Sequence, residues 1–368
     1  MTSKRVLVAL SGGVDSSVAA CILQQQGYDV VGVFLRNGIE HHRNSSGTQQ
    51  GCCSVEDSLD AALVANQLGI PFHAINMETE FSSIIDYFAE EYLSGRTPNP
   101  CMRCNRDIKF GALWDLADAI NAQYIATGHY ARVVESNSRY ELHRGVDRSK
   151  DQSYVIFPLG YESLSRTLFP LGGLTKAQTR EIAKKNGFNV HDKQESFEIC
   201  FVPENDYRAH LKSKNSLGKP GNVIDESGKI LAKHDGYAGF TRGQRKGLGF
   251  ASTQPMYVLD IRPEDGSVVV GPRSSTTSEG LIAKEWKWLL QESSWPNKSL
   301  DNVFVQYRSS VQEFPASLKI LSEGQVRINF VNPVDSVNPG QGIAVYSGTQ
   351  LLGGGIINEI IGASSFEI

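Results

Sequence analysis

Residues 5–17 read RVLVALSGGVDSS: an apolar run, a glycine pair and a polar lead into a helix. RVLVAL, residues 5–10, has no sustained polar alternation, which is the pattern of a short strand buried on both faces of a parallel sheet. SSVAACILQQQG, residues 16–27, continues at helical spacing, with Gly27 as its stop. The loop between them is SGGVDSS, residues 11–17. Gly12 and Gly13 permit backbone geometry and close approach that a side chain would obstruct. Ser11, Ser16 and Ser17 add hydroxyl donors, and the helix start offers N–H groups that lack intrahelical acceptors. Asp15 repels a bare phosphate but suits one that chelates Mg2+. The loop has neither the lysine of G-x-x-x-x-G-K-[ST] nor the spacing of G-x-G-x-x-G, which argues against a phosphoryl-transfer loop and against a dinucleotide site.

Outward from this loop, strand and helix patterns alternate. DVVGVFL (29–35) and PFHAINM (71–77) read as strands, and SVEDSLDAALVANQLG (54–69), FSSIIDYFAEEYLSG (81–95) and FGALWDLADAINA (110–122) as helices. YIATGHYA (124–131) reads as a strand and its edge loop. That order predicts a doubly wound α/β domain with ligands beyond the carboxyl ends of its strands. The texture changes near Cys200, and from about residue 256 short strands separated by Pro, Gly, Asn and Asp predominate. The expected units are an α/β domain over 1–205, a small central domain over 206–273 and an all-β barrel over 274–368.

At 368 residues, 40% hydrophobic and 21% charged, the chain can bury cores for two or three domains. The net charge of −4 argues against a generally basic nucleic-acid binder. Residues 206–250 nonetheless hold nine Lys/Arg against four Asp/Glu, a local cationic surplus. Charge alone leaves solvated loops as the simpler reading. Six clustered cysteines do not resemble a disulfide framework, no apolar run reaches membrane-spanning length, and the cytoplasm is the expected compartment.

NPCMRCN, residues 99–105, places Cys101 and Cys104 at a spacing that fits half a zinc site, an iron–sulfur ligand pair or a redox dithiol. Cys200 lies in ESFEICF, and Cys52 and Cys53 in GCCSVED just ahead of Asp57 and a helix start, where packing is the simpler role. His41 and His42 read as loop residues. Gly128 and His129, after a strand, stand where a nucleotide would lie. Arg148, Lys150, Asp151 and Gln152 form a dense polar cluster. Arg242, Arg245 and Lys246 in GFTRGQRKGLG suit phosphate contact, and Arg308 adds a cation in the β-rich part.

SGGVDSS resembles the loop of the ATP pyrophosphatases, which cleave ATP between the α- and β-phosphates and adenylate a carbonyl-type oxygen. Joined with NPCMRCNRDIKF, ATGHYAR, KDQSY, LGGLTKAQTREIA, ESFEICF, GYAGFTRGQRKGLG and LGGGII, it resembles the bacterial tRNA-specific 2-thiouridylases from Ser11 to Ile357. The resemblance implies an ATP-pyrophosphatase domain, a central domain and a β-barrel. It implies thiolation at C2 of wobble uridine 34 in the tRNAs for lysine, glutamate and glutamine, with ATP and Mg2+. A sulfur-relay protein or cysteine desulfurase would supply persulfide, and a reductant would reset the enzyme. Cys104 and Cys200 would be the catalytic pair. Cys101 stands where familiar members have aspartate, so it is either an auxiliary thiol or, with the other two, an iron–sulfur ligand. ATP would be bound by Ser11, Gly12, Gly13, Asp15, Ser16, Ser17 and Gly128, with His129 at the nucleotide or substrate. The tRNA would meet Arg148, Lys150, Asp151, Gln152, Arg242, Arg245, Lys246 and Arg308. The rival readings are cluster-dependent thiolation and another ATP-pyrophosphatase ligase.

Overall fold

The computed structural model describes residues 3–38, 55–136, 139–194, 199–202, 206–309, 312–322 and 324–362. Cys52, Cys53, His41 and His42 lie outside these. The first unit runs β1 (Arg5–Ala9), α1 (Val14–Gln25), β2 (Asp29–Arg36), α2 (Val55–Leu68), β3 (Phe72–Asn76) and α3 (Glu78–Leu93). An uninterrupted helical run follows, made of α4 (Pro100–Cys104), a π-helical segment (Asn105–Ala112) and α5 (Leu113–Ala119). Next come β4 (Tyr124–Ala126), a hairpin of β5 (Ala131–Ser136) and β6 (Arg139–Arg144), β7 (Thr167–Leu168) and α6 (Lys176–Lys185).

β3-β2-β1-β4-β7 form a wholly parallel sheet. Val6 and Val8 of the central β1 are fully buried and Leu7 nearly so, which is why the run shows no alternation. β1 leads to β2 on one side and lies beside β4 on the other, so the strand order reverses there. The loop after β1 sits at that switch point, where open α/β sheets bind ligands. On α3, Phe81, Ile84, Phe88 and Tyr92 recur at helical spacing and are buried in the largest core. Burying a side chain such as Phe88 stabilises by about 2–3 kcal/mol.

α7 (Tyr207–Ser213) leads into β8 (Gly221–Asp225), β9 (Ile230–His234), β10 (Tyr257–Arg262) and β11 (Ser267–Gly271), a sheet ordered β10-β11-β8-β9. The last unit comprises β12 (Thr277–Trp288), β13 (Ser299–Gln306), β14 (Phe314–Ser322), β15 (Gln325–Asp335), β16 (Gly342–Ser347) and β17 (Gln350–Ile361). Its order, β12-β15-β14-β13-β16-β17 with β17 returning to β12, is a closed barrel. Inward residues such as Val303, Val305, Ile328 and Val345 fill it.

The β5–β6 hairpin departs from the sequence reading. It arises in the first unit yet joins the barrel sheet, with Leu142 opposite Leu351 and His143 opposite Gln350. Its end is sealed by Arg144, which is fully buried, bonds Asp151 and Gln306 at 2.7 Å each, and lies 3.4 Å from the Tyr346 ring centre.

Candidate active site

The phosphate loop is closed on itself by its own hydroxyls. Ser16 Oγ accepts from Ser11 N at 3.0 Å and donates to Gly13 O, and Ser17 Oγ donates to Gly13 O at 2.9 Å. Both serines are buried, while Ser11 stays exposed at the mouth. Gly13 caps α1 without a side-chain hydrogen bond, which leaves the helix start available to an anion. Gly12 has φ +69°, and a Cβ there would stand 2.2 Å from Asp57 O. Gly128, after β4, also packs too close for a side chain: its Cβ would meet Ser16 N at 2.7 Å. The two glycines bring α2 and the β4 loop against the phosphate loop.

Two lysines that the sequence reading passed over complete this floor. Lys176 Nζ donates to both carboxylate oxygens of Asp15 at 2.8 Å, and Tyr130 OH donates to the same carboxylate at 2.9 Å. As placed, Asp15 is committed to Lys176 and does not fit the role of direct Mg2+ ligand. Lys193 Nζ donates to Gly12 O at 3.0 Å and Asp57 Oδ1 at 2.8 Å, and also bonds Asp60. A signal for Lys176 existed. It opens α6, where a cation opposes the helix dipole, so its placement there asks for an acidic partner.

His129 is buried, and its Nδ1 shares a 2.7 Å hydrogen bond with Thr127 Oγ1. Burial, and then the charge of Lys109, hold its pKa well below the usual imidazole range. It is therefore a neutral ring, tilted against Phe110 and edge-on to Phe169.

Asn99 caps α4 by accepting from Met102 N, with Pro100 at the first helical position, so NPCMRCN is a helix start. Cys101 is exposed on it. Cys104 is half-buried at the junction with the π-helical segment. Cys200 is also half-buried, and both Cys104 and Cys200 pack against the largest core. The neighbouring Phe201 sits edge-on to Phe88 of α3 at 5.2 Å, and α3 also supports α4. Among the described residues no group of three or more His, Cys, Asp or Glu is arranged to hold a metal ion, so the three thiols do not form a ready cluster site.

The expected tRNA contacts separate into two classes. Asp151 has a side chain 2% exposed that is taken up by Arg144, Gly145 N and Ser153, and Gln152 Oε1 accepts from Tyr130 N. Nucleic acid cannot reach the Asp151 carboxylate without displacing Arg144, so its expected contact with tRNA does not fit. Arg148 pairs with Glu313, half-buried Arg242 donates to Leu259 O, and Arg308 donates to the Asp335 and Ser336 carbonyls. Burial lowers the Arg242 pKa. Arg245 and Lys246 remain exposed. Lys150, with Arg180, Lys184 and His191, lines an open cavity of about 760 Å³ that Glu181 and Asp192 also line.

Residues 4–204 match the family described as "tRNA methyl transferase HUP domain", residues 211–272 its "PRC-barrel domain" and residues 278–357 the "Aminomethyltransferase beta-barrel domain". A protein of Carboxydothermus hydrogenoformans named tRNA-specific 2-thiouridylase MnmA is 47% identical, with 97% of this chain and 98% of that one covered. One of the same name from Leptospira biflexa is 44% identical, covering 97% of this chain and 94% of that one. A solved 4-thiouridine synthetase–RNA complex with bound ATP aligns at a TM-score of 0.36 and 15% identity, over 57% of this chain and 50% of that one. With an ATP-pyrophosphatase domain, a central PRC-type unit and a closed barrel in one chain, and relatives of this identity along nearly its whole length, the protein belongs to the tRNA-specific 2-thiouridylase family.

Proposed function

We propose that this chain is an ATP-dependent tRNA-uridine 2-sulfurtransferase acting on wobble uridine 34 of the tRNAs for lysine, glutamate and glutamine. The observation that carries the reading is a phosphate loop with an uncapped helix start in a chain whose Cys104 and Cys200 pack on one core. Ser11, Gly12, Gly13 and the α1 start hold the ATP phosphates, and the C2 oxygen of the uridine attacks the α-phosphorus, releasing PPi. A persulfide carried on Cys200 then attacks C2 and displaces AMP, giving a C2–S–S–Cys200 linkage. Cys104 thiolate attacks the Cys200 sulfur. The transferred sulfur leaves as the C2 thiocarbonyl, and the two cysteines end as a disulfide. The sulfane sulfur gains the two electrons that the thiols lose, so a dithiol reductant must reopen the pair before the next turnover. A sulfur-relay protein or cysteine desulfurase recharges Cys200, in the cytoplasm. Among the described residues no helix is long and apolar enough to cross a membrane.

The deciding experiment follows PPi release from ATP with unmodified tRNA and then the mass of nucleoside 34. Strictly iron-free enzyme is expected to yield 2-thiouridine and a trapped Cys104–Cys200 disulfide after one turnover. Activity that returns only on iron–sulfur reconstitution overturns the persulfide route.

A further inference from the structure

The phosphate loop, α6 and the chain before Cys200 form a closed circuit of bonds. Lys176 at the head of α6 grips Asp15 of the loop through both carboxylate oxygens. One turn on, Arg180 donates to His191 O at 2.7 Å and Lys193 O at 3.1 Å, so the same helix holds the backbone of the 191–193 segment. The Lys193 side chain then returns to the loop, meeting Gly12 O and the α2 carboxylates of Asp57 and Asp60. Asp57 is itself buried against Gly12, so the lysine reaches a fixed anchor rather than a solvated acid. Three carbonyl or carboxylate oxygens converge on one ammonium, which uses its three donors fully.

Lys193 precedes Cys200 by seven residues, and seven residues span at most about 25 Å. Anchoring Lys193 on Gly12 therefore sets an upper limit on how far Cys200 can lie from the phosphate loop. Phe201, packed on Phe88, anchors the chain directly after Cys200. We propose that Lys193 is a positioning residue for sulfur transfer: it ties the approach to Cys200 onto the phosphate loop, so that activation and attack occur at one place. This rests on the sulfur-transfer reading above and assigns Lys193 no contact with reacting atoms. The role differs from simple bracing of the loop, because bracing would affect PPi release and thiolation equally.

The test measures PPi and 2-thiouridine in the same reaction, with ATP, unmodified tRNA and enzyme precharged with persulfide, for wild type, Lys193→Met, Lys193→Arg and Asp60→Asn. The expected result is a fall of at least tenfold in 2-thiouridine formed per PPi released for Lys193→Met, beyond the fall in PPi release that loss of its bond to Gly12 O brings. Lys193→Arg should recover most of the ratio, and Asp60→Asn should lower it two- to threefold. If Lys193→Met does not fold, as judged by thermal unfolding, the Asp60→Asn ratio decides. A ratio unchanged in all variants, or losses of PPi and thiolation by one common factor, overturns the positioning role. Wild type that releases PPi but makes no 2-thiouridine overturns the sulfur-transfer reading and the inference with it.

Discussion

Gly12 combines a left-handed backbone with a carbonyl oxygen 2.2 Å from where a methyl group would stand. Gly12→Ala is expected to destabilise the protein by about 2 kcal/mol or more, since conformational strain and overpacking add. It should also lower tRNA-dependent PPi release at least a hundredfold; urea titration and a PPi assay check both. The cysteines should respond separately. Cys200→Ser is expected to release PPi with tRNA yet transfer no sulfur, and Cys104→Ser to stall even when supplied as persulfide. Cys101→Ser should retain substantial thiolation, as read by nucleoside mass analysis. His129 makes a pH prediction. Its native pKa lies far below 6.5, so between those values the unfolded chain binds the extra proton. Stability should rise with pH up to about 6.5–7, by no more than about 1.4 kcal/mol per unit from this residue, and then level off. In His129→Gln, denaturant midpoints across pH 5–8 should show a shallower rise. At this scale the glycines and serines of the loop stood out in the sequence because each acts through its own backbone or a near neighbour, as Ser16 and Ser17 do through Gly13 O. Lys176 and Lys193 were not, because their partners lie 161 and 181 residues away.

Helix α6 carries its start signal openly. Thr175 and Gln178 form a reciprocal capping box, and Lys176 is the first residue inside it. Thr175→Ala should cost about 1 kcal/mol of stability. Because the same turn aims Lys176 at Asp15, it should also raise the KM for ATP several-fold, which steady-state PPi kinetics would show. A KM unchanged beside the lost stability would separate the cap from the site. The helical run after Cys104 was harder to read. The sequence reading began a helix at Phe110, whereas α4, the π-helical segment and α5 are continuous from Pro100. Ile108 and Leu113 are both fully buried although five residues apart, a spacing natural to a π turn and misread by a 3.6-residue template. Asn105 adds a buried bond to Val155 O at 2.8 Å, a polar anchor with no apolar signature. The hairpin of β5 and β6 was missed for a related reason. Its alternation is short, and its partner strand lies at the far end of the chain.

Across the whole molecule, the cationic surplus in 206–250 resolves into side chains with different fates. Arg242 spends its guanidinium on Leu259 O, but Arg245 and Lys246 face solvent. Replacing Arg245 and Lys246 together by alanine should weaken cognate and noncognate tRNA alike and reduce the log–log salt slope by roughly 1–2. Fluorescence titrations at several salt concentrations would read this, and an unchanged slope would remove the patch from the interface. The order of strands, helices and a terminal barrel was legible because periodicity is local. How the units interlock was not, since Arg144 looks like any surface arginine until Asp151, Gln306 and Tyr346 surround it. That interlock has a cost in time. During synthesis, His143 and Leu142 emerge 207 and 209 residues before Gln350 and Leu351, the strand they pair with. At ordinary elongation rates the ribosome needs roughly 10–40 s to cover that interval. Throughout it, the nascent first unit carries an open sheet edge, and for most of it an arginine whose Gln306 and Tyr346 partners have yet to be made. Such a chain is most exposed to aggregation while half made, and its vulnerability ends only when translation reaches β17.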